Sequence, residues 1–138
     1  APPKLLIDLA ARHVQCGNVT VKLPPAQLAW LAWWAQNVLE ERDPQSWRSA
    51  DAAQYLRLYQ RVVKINSAAF ENAQTRLKDG MEKTFFEESN AKLERTLKNK
   101  LGLAAAPYLL ASSGKRPHTK RHLTLPAHSI TLRSNIFC

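Results

Sequence analysis

The sequence predicts an α+β fold, mainly helical, and three observations carry that reading. Apolar residues alternate with period two at the start of the chain, and stripes with helical period fill the middle. The last third returns to strand-like runs around a turn-rich loop. Both that loop and the helix before it are basic. The order is therefore that of a winged helix-turn-helix with an N-terminal β-hairpin and a C-terminal β-wing.

Leu5, Ile7 and Leu9 alternate with Leu6, Asp8 and Ala10, and Val19, Val21 and Leu23 alternate with Thr20 and Lys22. These are half-buried strands, and Gly17-Asn18 supplies a turn, so residues 4–23 form a small hairpin or meander with residues 13–16 as its middle. Pro24-Pro25 ends the strand and opens a helix over residues 26–41, because proline suits the first helical turn. That helix is apolar on so broad an arc that little of it can face water. Ser49 or Asp51 caps a second helix, with Tyr55, Leu58, Tyr59, Val62 and Ile65 inward. Ser67 caps a third, with Phe70, Ala73 and Leu77 in line, and Gly80 ends or bends it.

Thr84-Phe85-Phe86-Glu87 forms a capping box for a fourth helix, and Ser89 offers a slightly later start. Leu93, Leu97 and Leu101 then line one face of a helix over residues 89–101, with Gly102 as C-cap. Residues 107–111 and 122–125 are strands joined by the polar, basic loop 112–119. Residues 130–132 add an edge strand after Pro126. The expected partition is one domain over 1–138, with a hairpin at 3–25, a helical core at 26–102 and a wing at 107–132. Beginning at Ala1-Pro2-Pro3, the chain has the form of a domain excised from a longer protein.

Composition narrows the function classes. A hydrophobic content of 45% with four Trp, four Phe and three Tyr describes a folded globule rather than a basic tail. No apolar run approaches the roughly 20 residues that span a bilayer, and no signal peptide is expected from Ala1-Pro2-Pro3-Lys4, which no long apolar stretch follows. Cys16 and Cys138 lie far apart, which fits a reduced, cytoplasmic setting better than a disulfide.

Charge is the most uneven property. Residues 89–138 hold nine Lys/Arg and one acid, whereas residues 1–88 hold eleven and ten, so +8 of the total +9 lies in the last fifty residues. On the basic helix Lys92, Arg95 and Asn99 lie opposite the leucines. Lys92 and Arg95 would take phosphates and Asn99 a base edge; the alternative is a solvated helix face. In the wing Lys115, Arg116, Lys120 and Arg121 have no acid nearby in sequence, so an anion should sit among them. Nucleic acid is the expected anion, and the acidic face of another protein is the alternative.

His118 and His122 are four apart, but in a loop and strand with no further ligand, so no metal site is expected. Trp30, Trp33 and Trp34 crowd one helix. They are core residues, yet three within five positions were not expected all to point inward. At least one should pack on a second subunit, giving a homodimer, or on another domain. Glu40-Glu41 and Glu87-Glu88 are adjacent pairs that diverge on a helix, and no nucleophile, phosphate loop or metalloprotease motif is present. No catalytic residue, enzymatic activity or cofactor is expected.

Two stretches, residues 7–14 through 21–28 and residues 93–102, resemble the N-terminal sheet, first helix and recognition helix of OmpR-type effector domains. The Ser49–Phe86 segment is longer than that pattern, and His122-Leu123 replaces its Gly-Tyr wing ending. Three pieces resemble more closely the C-terminal winged-helix domain of CRISPR-associated Rossmann-fold (CARF) proteins. They are Leu23-Pro24-Pro25-Ala26-Gln27-Leu28-Ala29, the run from Lys92 to Leu101-Gly102, and Ala105-Ala106-Pro107-Tyr108-Leu109-Leu110 with Gly114-Lys115-Arg116-Pro117. The likeness extends through residues 123–130. It implies a nucleic-acid-binding or regulatory module of antiviral defence, contacting DNA or RNA through helix and wing. It also implies an upstream domain that binds cyclic oligoadenylate, where any ring-nuclease activity would reside. An OmpR-type transcription-factor domain and a plain dimerisation or adaptor module are the alternatives.

Overall fold

The computed structural model describes residues 3–134. The chain runs β1 (Leu5–Asp8), β2 (His13–Cys16), β3 (Val19–Val21), α1 (Pro25–Leu39), α2 (Ala52–Gln60), α3 (Ala68–Arg76) and α4 (Lys83–Leu101). A 3-10 segment, Gly102–Tyr108, leads to β4 (Leu110–Ser113) and β5 (Lys120–Leu123), and a short 3-10 turn precedes β6 (Ile130–Arg133). The described residues form an α+β arrangement of four α-helices, a mixed four-stranded sheet and a two-stranded hairpin.

The sheet order is β3-β2-β1-β6, antiparallel except for the parallel pair β1–β6. Its register puts Leu5 opposite Cys16 and Ile130, and Ile7 opposite Val14 and Leu132. The period-two residues thereby share one apolar face. Here the expected wing partition is corrected: β6 leaves the hairpin and extends the N-terminal sheet, because Ile130 finds a buried place beside Leu5. Pro107 and Tyr108 also fall in the 3-10 segment rather than in a strand, where the Tyr108 hydroxyl donates to the Lys4 carbonyl at 2.9 Å.

α1 is the centre of the molecule. Every residue from Leu28 to Ala35 is buried, between the sheet, α2, α4 and the hairpin. Pro24 accepts from Leu28 N at 2.9 Å and Pro25 occupies the first turn, as the sequence suggested. Trp30, Trp33 and Trp34 are all buried within this one chain, at 1%, 0% and 1% exposure. The expectation that one must face a partner is thus wrong. Positions i, i+3 and i+4 span only about 100° of the helix circumference, so all three can face the same way. Trp30 stacks on Trp33 at 5.2 Å and meets Tyr55, Phe85 and Phe86 edge-on at 5.1 to 5.9 Å. The Trp30 and Trp34 indoles both donate to Asn90 Oδ1, at 2.8 and 3.2 Å. Asn90 is itself 4% exposed, a polar staple between α1 and α4.

Asp51 and Ser67 cap α2 and α3 through bonds from Gln54 N and Phe70 N. α2 stops at Gln60, which leaves Val62 buried in the following turn and Ile65 exposed rather than inward. α4 begins at Lys83, earlier than either expected cap, so Thr84 and Ser89 lie inside the helix. Glu82 precedes that start with its carboxylate held by Arg76 at 2.6 Å, and Phe85 and Phe86 in the first turn meet the Trp30 ring. Gly102 ends α4 with φ +59°, a left-handed conformation that favours glycine. Cys16 is a free, buried thiol whose pKa burial pushes up to about 12, so it is an inert core residue. Its expected separation from Cys138 lies outside the described residues. No helix among them is long and apolar enough to cross a membrane.

Candidate nucleic-acid interface

The basic part of the chain is positioned by α4. Phe86, Asn90, Leu93 and Leu97 pack inward, which turns Lys92, Arg95 and Asn99 to the exposed side, as the leucine spacing requires. The hairpin β4–β5 stands beside α4. Its register pairs Leu110 with Leu123 and Ser112 with Arg121, so the inner face is apolar at the root and polar toward the tip. Leu110 and Leu123 are buried, whereas Lys115, Arg116 and Lys120 are exposed. Gly114 makes the tip possible: its φ is +81°, and a Cβ there would lie 2.9 Å from the His118 carbonyl oxygen.

Two braces fix the hairpin. Glu94 on α4 accepts from Leu110 N at 3.3 Å and forms a loose ion pair with Arg121 at 3.8 Å. On the other side, Gln45 and Arg121 exchange two backbone hydrogen bonds of 2.8 Å, an isolated antiparallel bridge. The expected acid-free wing is therefore corrected. Glu94, 27 residues before Arg121 in sequence, neutralises it, and Arg121 braces the hairpin as much as it adds free charge.

The bridge at Gln45 brings the turn 46–49 up against the wing. Between this turn, the first half of α4 and the hairpin lies an open groove of about 1020 Å³. Arg48, Lys83, Arg116, Lys120 and Arg121 line it against Glu87 and Glu94, five cations to two acids. Trp47 contributes a half-buried ring, with the Arg48 guanidinium 5.0 Å from its centroid. The turn is internally tied: Arg48 N donates to Ser46 Oγ at 3.2 Å, and Ser49 Oγ accepts from Ser46 N at 3.0 Å. The groove wall is thus a preformed surface.

Of the residues singled out from sequence, Arg116, Lys120 and Arg121 meet in this groove, and Lys115 projects at the hairpin tip beside it. Lys92, Arg95 and Asn99 lie outside it, on the α4 face turned away from Leu93 and Leu97. His118 lines the groove rim and His122 is half-buried on β5, with Nδ1 unpartnered. No group of three or more His, Cys, Asp or Glu among the described residues is placed to hold a metal ion. Sequence reasoning missed Trp47, Arg48 and Lys83. A large aromatic next to arginine in an otherwise polar interhelical loop was the available signal.

A second concavity of about 360 Å³ lies at the other end of α1, beside Leu39, Glu40, Arg57 and Arg61. Gln36, Arg42 and Gln54 all donate to the Glu40 carboxylate, at 2.6 to 3.2 Å. The Gln36 bond is the main cause that holds its pKa below the usual carboxylate value. Its acid is thus already satisfied by neighbouring donors. No protein-family model, no curated protein and no solved structure matches this chain.

Proposed function

We propose that this chain is a nucleic-acid-binding or regulatory winged-helix module of the CARF type, with α4 as its recognition helix and β4–β5 as its wing. The observation that carries the reading is the cationic groove where hairpin and α4 meet, flanked by the exposed basic face of α4. Clustered cations of this kind repel one another unless a polyanion lies among them. The order α2, α3, α4, hairpin supports the winged-helix assignment, as does the short 3-10 link between α4 and β4. On this reading the parent protein carries a messenger-binding domain upstream and works as a homodimer. The buried tryptophans lend that dimer no support, and its surface must lie elsewhere.

The test is binding of labelled duplex DNA, single-stranded DNA and RNA at two salt concentrations. The variant is Lys115→Glu/Arg116→Glu/Lys120→Glu, which leaves the bracing Arg121 untouched. Salt-sensitive binding that the variant loses is expected, with the slope of log affinity against log salt falling by roughly 0.7–0.9 per phosphate contact removed. No binding to any polymer at low salt would overturn the proposal and leave the basic face as a protein-docking surface.

A further inference from the structure

We propose that the groove walled by Trp47, α4 and the wing holds single-stranded nucleic acid, with a base stacked on the Trp47 ring and the strand's phosphates on Arg48, Lys83, Arg116 and Lys120. This inference rests on the nucleic-acid reading above and names the form of polymer that this one surface takes.

Three observations lead there. The first is the pairing of groups. Non-specific single-strand sites combine a cationic track with aromatic faces, because every base offers a π-face and every linkage a charge. Both components line this groove. Trp47 packs against the edge of the core but is the one tryptophan of four not fully buried, since Trp30, Trp33 and Trp34 are at most 1% exposed. Its ring already carries a cation at 5.0 Å, an arrangement in which a base can take the place of the guanidinium or stack beside it.

The second is access. In a duplex the base faces are hidden in the stack and only their edges are open in the grooves. An indole inside a cleft can meet a base face only when the base is unpaired. The exposed α4 residues Lys92, Arg95 and Asn99, which would suit a duplex groove, lie outside this cleft.

The third is size and rigidity. At about 1020 Å³ the groove is at the upper end of small-molecule pockets, which run to roughly 1,000 Å³. That is room for a short stretch of chain. Both walls are fixed before binding, by the Gln45–Arg121 bridge and by the Ser46–Ser49 bonds. Little ordering cost therefore falls on the protein.

The experiment measures affinities of the 138-residue chain for 12-mer oligo(dT), 12-mer oligo(U) and a 12-base-pair duplex by fluorescence anisotropy, alongside Trp47→Ala and Trp47→Phe. The expected result is tighter binding of the single strands than of the duplex. Trp47→Ala should lose roughly ten-fold or more in single-strand affinity, and Trp47→Phe should retain most of it. The dT and U arms separate DNA from RNA. Preference for duplex, with Trp47→Ala indifferent, would overturn this inference while leaving the nucleic-acid reading intact; no binding to any polymer overturns both. Should Trp47→Ala lose its fold, the wild-type emission decides. Quenching by oligo(dT) that Trp47→Phe lacks supports the stack, and unchanged emission at saturation contradicts it.

Discussion

Aromatic rings gather at two places in this molecule, and the two are built oppositely. Around α1, three indoles, Tyr55, Phe85 and Phe86 close on one another, and two indole N–H groups share one asparagine oxygen. At the groove a single indole, partly buried against the edge of the core, lies among arginines and lysines, paired with a guanidinium. The first arrangement excludes water and gives two of its three indole N–H groups a protein acceptor, Trp33 Nε1 being buried without one. The second leaves its ring only partly buried and sets five cations against two carboxylates. Burial therefore separates residues that hold the fold from residues available to a ligand.

The sharpest way to break that comparison is truncation on each side. Trp30→Ala should cost about 3–5 kcal/mol of stability in urea unfolding, from lost burial and the cavity left behind. Trp47→Ala should cost roughly 1–2 kcal/mol, in keeping with a ring only partly removed from water. Equal losses would mean that Trp47 is a core residue.

Asparagines sharpen the same contrast at the next magnitude. Asn90→Leu strands two buried indole donors, at about 1–3 kcal/mol for each left unsatisfied. Asn37 is equally buried, but neither atom of its side-chain amide has a partner. Asn37→Leu should therefore be neutral or stabilising by up to about 1 kcal/mol, since it removes a desolvation cost and no bond. Thermal melts should show Asn90→Leu lowering the midpoint and Asn37→Leu leaving it unchanged or raised.

The smallest stability effect belongs to the groove rim. Lys115→Glu/Arg116→Glu/Lys120→Glu should change unfolding free energy by no more than about 0.5 kcal/mol, as exposed substitutions do. Arg121→Glu should cost more than that whole set, because it would set a second carboxylate beside Glu94. A destabilised triple variant would show that the rim, too, is structural.

Local signals were read well from sequence. Period-two alternation found β1 and β3 with β2 as the strand between them, Pro24-Pro25 found the start of α1, Asp51 was one of two caps offered for α2, Ser67 was the cap named for α3, and Gly102 the terminator of α4. What escaped depends on partners far apart in the chain. Ile130 joins Leu5, Glu94 reaches Arg121, and Gln45 bridges to Arg121 across 76 positions. No local period encodes such pairings. The tryptophan misreading was of another kind: a geometric error about how wide an arc three nearby positions cover. Half of the groove was legible as a basic wing, but its other wall, Trp47 and Arg48, had the appearance of an ordinary loop.

The most direct test of the groove as the nucleic-acid surface is an NMR titration of the uniformly ¹⁵N-labelled chain with the oligo(dT) 12-mer, following the four indole N–H signals and the backbone amides. The Trp47 indole and the amides of residues 46–49 and 115–121 should shift, while the Trp30, Trp33 and Trp34 indoles stay in place. Shifts confined to the β1–β3 sheet, or saturation with the Trp47 and wing signals unmoved, would contradict the account.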